Sequence, residues 1–126
     1  MMNSEQRMVK EFHNAFNLPV ADSPTTLSQK DAFKRTVLIK EELDELKDAL
    51  YEYDLLKIAD AIADLLYVVY GTAVECGLDI EPIFKEVHRS NMTKKGGYLN
   101  DIGKWVKPPT YEEPVLLPII DSQKGI

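Results

Sequence analysis

Residues 41–71 read EELDELKDALYEYDLLKIADAIADLLYVVYG: a carboxylate-rich stretch runs into a segment that is apolar nearly all round, yet interrupted by Asp60 and Asp64. An acid buried without a partner is costly, so two of them among Ala, Ile, Leu, Val and Tyr need a reason. At about 100° per residue on a helix, Ile39, Leu43, Leu46 and Leu50 form one apolar stripe. Glu42 and Glu45, spaced i, i+3, border that stripe in a strip shared with Leu38 and Ala49, so they point toward a neighbouring helix. Glu41, Asp44, Asp48 and Glu52 lie further round, where charge is ordinary. On the next helix Lys57, Asp60, Asp64, Tyr67 and Gly71 make one strip. A turn at Tyr53-Asp54, with Asp54 as N-cap, folds the chain into an antiparallel pair. Glu42 and Glu45 then stand level with residues 60 to 65, and four carboxylates converge from two helices. Hard divalent cations such as Mg²⁺ or Mn²⁺, with their oxygen ligands, relieve that repulsion. The plainer alternative is a solvated acidic face, with Asp60 favoured near a helix start by the dipole. Asp64, in mid-helix between Ala63 and Leu65, fits that alternative least.

A chain of 126 residues suits one compact domain with an adequate core. Its net charge of −6 argues against binding a nucleic-acid polymer through a basic face. An acidic protein that handles polyphosphates needs metal ions and a few well-placed cations. The single cysteine, Cys76, excludes an internal disulfide and a thiolate cluster, and reads as inert packing in a reduced compartment. The stretch MMNSEQRMVKEF lacks the apolar core of a signal peptide, and the run 61–74 is too short to span a bilayer. These features lead to the expectation of a cytoplasmic protein with no membrane partner.

Around the central stretch the sequence reads as further helices. Residues 4–17 form the first, with Ser4 as N-cap, Met8, Val9, Phe12, Ala15 and Phe16 as its apolar positions, and Asn17-Leu18-Pro19 as its stop. A loop with Pro24 follows. The second helix opens around Ser28 to Asp31 and runs to about Tyr53. The third runs from Leu55 to Cys76, with Gly77 as its left-handed cap. Asp79 caps a fourth, with Pro82 early, ending near Ser90. Beyond it, glycines, prolines and short apolar runs predict a loop or small hairpin and an extended tail. The expected organisation is an all-α domain over 1–98 and an extension over 99–126. A tail bearing Val115, Leu116, Leu117, Ile119 and Ile120, and the greasy third helix, predict packing on the domain or on a neighbouring subunit, hence a homodimer or homotetramer.

The stretch from His88 to Gly97, HRSNMTKKGG, gathers cations, hydroxyls, an amide and glycines at a helix end. It reads either as a C-cap with basic residues complementing the dipole or as a phosphate contact through Asn91 and Lys94. His13, beside Phe12 and Phe16, either packs or faces a ligand pocket. Trp105 and Tyr98 either anchor the tail or stack on a base. The chain has no Walker loop, G-x-S-x-G or H-E-x-x-H, and no E-x-x-H pair of the di-iron kind.

Glu41-Glu42-x-x-Glu45 followed by the acid-bearing AIADLLYVVYG segment resembles the all-α nucleoside triphosphate pyrophosphatases. This superfamily takes in MazG-like proteins, dimeric dUTPases and phosphoribosyl-ATP pyrophosphohydrolase. EFHNAF near the start and EVHRSNMTK after the helical core extend the resemblance over roughly residues 5–98. The superfamily pattern is E-E-x-x-E followed by E-x-x-D. Asp64 holds the final position, but the preceding Glu falls on Ala61, and Asp60 is the natural substitute. The resemblance implies a four-to-five-helix, MazG-like oligomeric bundle. It also implies Mg²⁺-dependent hydrolysis between the α- and β-phosphates of a nucleoside triphosphate such as dUTP or a damaged nucleotide. Glu42, Glu45, Asp60 and Asp64 would hold the metal. Glu41, or another carboxylate of the cluster, would orient or deprotonate water, Lys94 with Arg89 and Lys95 would neutralise outer phosphates, and Asn91 would contact phosphate or sugar. Hydrolysis of phosphoribosyl-ATP is the rival within the enzyme class. A non-catalytic helical interaction module is the rival outside it.

Overall fold

The computed structural model describes residues 2–126. It contains five helices and one two-stranded ribbon: α1 (Ser4–Ala15), α2 (Gln29–Tyr51), α3 (Leu55–Glu75), α4 (Ile80–Met92), β1 (Tyr98–Leu99), β2 (Trp105–Val106) and α5 (Leu117–Lys124). The all-α expectation holds. The chain divides into two compact units, residues 2–78 and 79–126.

In the first unit α3 is the central element, packed by α2 along its length and by α1. The helix ends follow local chemistry. Asn3, one residue before the expected Ser4, caps α1 by accepting from Gln6 N–H, at 2.8 Å. Ser28 caps α2 and Asp54 caps α3, each through its side-chain oxygen. Between them Tyr53 takes a left-handed φ of 53°, which turns α2 back against α3. The small residues Ala49 and Ala61 are buried, letting the two helices approach closely below this turn. α3 ends as expected at Gly77, whose φ is 66° and whose missing Cβ leaves room for the Ser23 carbonyl. The loop after α1 is tied to this end by Ala21 N–H to Val74 O and Thr25 N–H to Cys76 O. Gln6 is fully buried and donates to Leu78 O at 2.6 Å.

The second unit begins at α4, after Leu78. Hydrogen bonds explain why α4 belongs with the C-terminal segment. Ser90 Oγ donates to Glu112 O at 2.7 Å, Val115 N–H donates to Glu86, and Asp79 and Gln123 exchange two bonds of 2.9 Å. The end of the chain forms helix α5 instead of an extended tail, because Pro118 sits in its first turn, where a missing N–H costs nothing. Among the described residues, no single helix is long and apolar enough to cross a membrane.

Candidate active site

The α2–α3 seam can be read residue against residue. At its upper end Arg35 is buried on α2 and faces the last turns of α3. Its Nη1 donates to Glu75 Oε2 at 2.9 Å, Nε to Thr72 Oγ1 at 3.1 Å and Nη2 to Val68 O at 2.7 Å. Glu75 is equally buried, and His13 lies beside it, with Nδ1 4.0 Å from the carboxylate. The same Nδ1 is 2.9 Å from the Pro19 carbonyl, so it must carry the hydrogen. Gly71 makes this packing possible: a Cβ there would stand 2.5 Å from Arg35 Nη2 and 3.0 Å from His13 Nε2. His13 is thus enclosed between α1 and α3, with Phe12 and Tyr67 in edge contact beside it.

Two turns further along, the seam changes character. Ligand oxygens of Glu42, Glu45 and Asp64 all lie within 4.8 Å of one another. Glu42 and Asp64 are half-buried and Glu45 is exposed. Among the described residues, Glu42 Oε2 is the one buried side-chain oxygen or nitrogen without a hydrogen-bond partner. Burial, then the charges of Glu45 and Asp64, a hydrogen bond with Glu45 and the charge of Glu41 push the Glu42 carboxyl above its ordinary pKa. An orphaned oxygen among like charges is a costly arrangement unless a cation completes it. The span suits one hard ion, since Mg–O bonds are about 2.1 Å and Ca–O bonds about 2.4 Å. The donor set fits an oxygen-ligated divalent metal.

Asp60 stands outside this trio. It is exposed and lines an adjoining cleft of about 320 Å³ with Glu45, Asp48, Ala49, Glu52, Lys57 and Ala61. Lys57 is the cleft's one cation and pairs with Glu52 at 3.4 Å. Glu41 is exposed next to the cluster and contributes to its field.

Arg89, Asn91, Lys94 and Lys95, read from the sequence as phosphate or sugar contacts, fall in the second unit. Arg89 is held by both oxygens of Glu86, at 2.8 and 2.9 Å, and by Glu112 at 2.8 Å. Asn91, Lys94 and Lys95 line a cleft with Met92 and Trp105.

Sequence reasoning missed Arg35 and Glu75, although the signal was present. Arg35 continues the strip of Leu38, Glu42, Glu45 and Ala49, and Glu75 continues the strip of Asp64, Tyr67 and Gly71. Opposite charges extending two facing strips are the mark of a buried pair.

The chain is predominantly helical and carries a carboxylate trio shared by two antiparallel helices. Residues 9–91 match the phosphoribosyl-ATP pyrophosphohydrolase family, and the chain belongs to that family, a branch of the MazG-like nucleoside triphosphate pyrophosphatase superfamily. Its members are hydrolases acting on phosphoric anhydrides of nucleotides. The chain is also similar to an uncharacterized protein of Acanthamoeba polyphaga mimivirus, 37% identical over 91 residues, which are 63% of this chain and 35% of the viral protein. The chain therefore corresponds to about a third of that relative's length.

Proposed function

We propose that the chain hydrolyses a nucleoside triphosphate between its α- and β-phosphates, releasing the monophosphate and pyrophosphate. The observation that carries this reading is the unpartnered Glu42 Oε2 inside the Glu42, Glu45 and Asp64 trio, in a chain of pyrophosphohydrolase family. Those three residues would hold Mg²⁺ or Mn²⁺, with Asp60 at the edge of the adjoining cleft available to a second ion. A bound cation supplies charge neutralisation on the phosphate oxygens. Glu41 orients the attacking water and takes its proton. The water oxygen bonds to phosphorus, the bond to the bridging oxygen breaks, and pyrophosphate leaves. Asn91, Lys94, Lys95 and Arg89 are proposed as phosphate or sugar contacts; Lys94 and Lys95 carry the free charge, since Arg89 is already paired.

Two substrates share this chemistry. The superfamily relation favours dUTP or a non-standard nucleotide, as in removal from the cytoplasmic pool. The family match favours phosphoribosyl-ATP equally, because the same phosphoanhydride is cleaved. We also infer a homodimer or homotetramer, since Phe33, Leu43, Leu50, Leu66 and Val69 in the first unit are each at least 46% exposed.

The test is a panel of canonical and modified nucleoside triphosphates plus phosphoribosyl-ATP, with Mg²⁺, Mn²⁺ or chelator, scoring monophosphate and pyrophosphate separately. Metal-dependent release of pyrophosphate, abolished in Glu45→Gln, is expected. Absence of turnover under both metals would replace this reading with the interaction module.

A further inference from the structure

The second unit contains a cleft of about 390 Å³ lined by Lys94, Asn100, Lys104, Trp105, Val106, Lys107 and Tyr111. All seven lie beyond residues 9–91, so the family match does not account for them. In a chain of net charge −6, three lysines here gather around two aromatic rings.

The lining is held in place by specific bonds. The ribbon pairs Tyr98 with Val106 and Leu99 with Trp105. Its turn is closed by Asn100 Oδ1, which accepts from Ile102 N–H and Lys104 N–H, and this fixes Lys104 beside Trp105. The Trp105 indole N–H donates to Lys94 O at 2.7 Å, while 43% of the residue remains exposed. Gly97 permits this seat, because a Cβ there would come within 2.7 Å of the indole nitrogen and closer still to the Val106 carbonyl. Tyr111 is anchored at its hydroxyl, which lies at a hydrogen-bond distance of 3.1 Å from Ser90 Oγ. The ammonium groups of Lys107 and Lys94 both approach its ring, at 4.6 and 5.7 Å from the centroid.

Charge balance at the cleft is incomplete. Glu113 pairs with Lys107 at 3.4 Å, and Glu112 is engaged by Arg89. Neither Lys94 nor Lys104 has an ion-pair partner among the described residues, and Asp101 is exposed on the hairpin turn. Two ammonium groups converging on one ring, with a third on the hairpin, create a place where several anionic oxygens would be neutralised together. The fixed, half-exposed indole adds a platform for a planar ring.

We propose that this cleft binds a nucleotide: Lys94, Lys104 and Lys107 take its phosphates, and Trp105 stacks on its base. The choice of a nucleotide over another aromatic anion rests on the pyrophosphohydrolase reading, but the site is testable without turnover. Trp105 is the chain's sole tryptophan and reports directly on occupancy.

The experiment titrates ATP, inorganic tripolyphosphate and adenosine into full-length Glu45→Gln protein in excess chelator, following tryptophan fluorescence. ATP should give a saturable change that weakens as salt rises. Tripolyphosphate and adenosine should each bind at least about tenfold more weakly. Lys104→Glu should weaken ATP by about tenfold or more, with Lys104→Met intermediate and far-UV circular dichroism unchanged. No saturable change, equal affinity in Lys104→Glu, or tripolyphosphate or adenosine binding as tightly as ATP would each overturn the proposal. Failure of the pyrophosphohydrolase reading would show instead as wild-type protein without turnover in Mg²⁺, whatever this titration gives.

Discussion

The two polar clusters of the α2–α3 seam lie about two turns apart and are built on opposite principles. At one, a guanidinium meets a carboxylate, a hydroxyl and a carbonyl, so each of its three nitrogens donates a hydrogen bond. At the other, carboxylates face carboxylates and one buried oxygen has no partner. Both are burials of charge in the same interface. The first is complete within the chain and clamps it. The second leaves Glu42 Oε2 without a hydrogen-bond partner among the described residues.

The largest expected effect belongs to the clamp. Arg35→Met strands Glu75 in the interior and should cost about 3–5 kcal/mol, the usual penalty for breaking a buried pair. Thermal unfolding should then fall by more than about 10 °C for a chain of this size. The contrasting substitution is Asp64→Asn. Turnover should drop at least about a hundredfold, roughly 2.7 kcal/mol of barrier, while the melting temperature in chelator does not fall. If Asp64→Asn unfolded the protein as Arg35→Met does, the two clusters would be of one kind. Gly71→Ala sharpens the clamp further. Its added methyl collides with Arg35 and His13, so a loss of about 1–3 kcal/mol is expected in chemical denaturation. The smaller effect of Glu45→Gln is a rise of a few degrees at most in metal-free melting temperature, because one of three like charges is removed.

These contrasts also show what could be read in advance. Helical periodicity and caps located α1 to α4 but not α5, because Ser28, Asp54, Gly77 and Asp79 act within one turn of the backbone they satisfy. The convergence of Glu42, Glu45 and Asp64 followed from two strips and one turn. Asp60 was harder: it shares the strip of Asp64 but sits a turn nearer the open end, where the helices leave a solvent cleft. The clamp was missed because each partner, read on its own helix, is an ordinary charge. His13 was ambiguous for the same reason, since its carbonyl partner, Pro19, lies in an aperiodic loop. The α4 association with the C-terminal segment depends on side-chain bonds across long sequence separations, which no local pattern announces.

One acid in the second unit gives the smallest expected effect. Arg89, hydrogen-bonded to Glu86, and then the Val115 N–H lower the Glu86 pKa from 4.5 to about 2. Because the folded-state value is depressed, the stabilisation is present above about pH 4.5 and fades as pH falls toward about 2. Acid titration of the folded protein by circular dichroism should therefore show a component in that window that is absent from Glu86→Gln.

The carboxylate trio is proposed as a cation site. Calorimetric titration of Mn²⁺ into wild-type and Asp64→Asn protein tests it most directly. Saturable binding of at least one ion per chain is expected in the wild type, lost or weakened at least about tenfold in the variant. No saturable binding, or equal affinity in the two proteins, would contradict it.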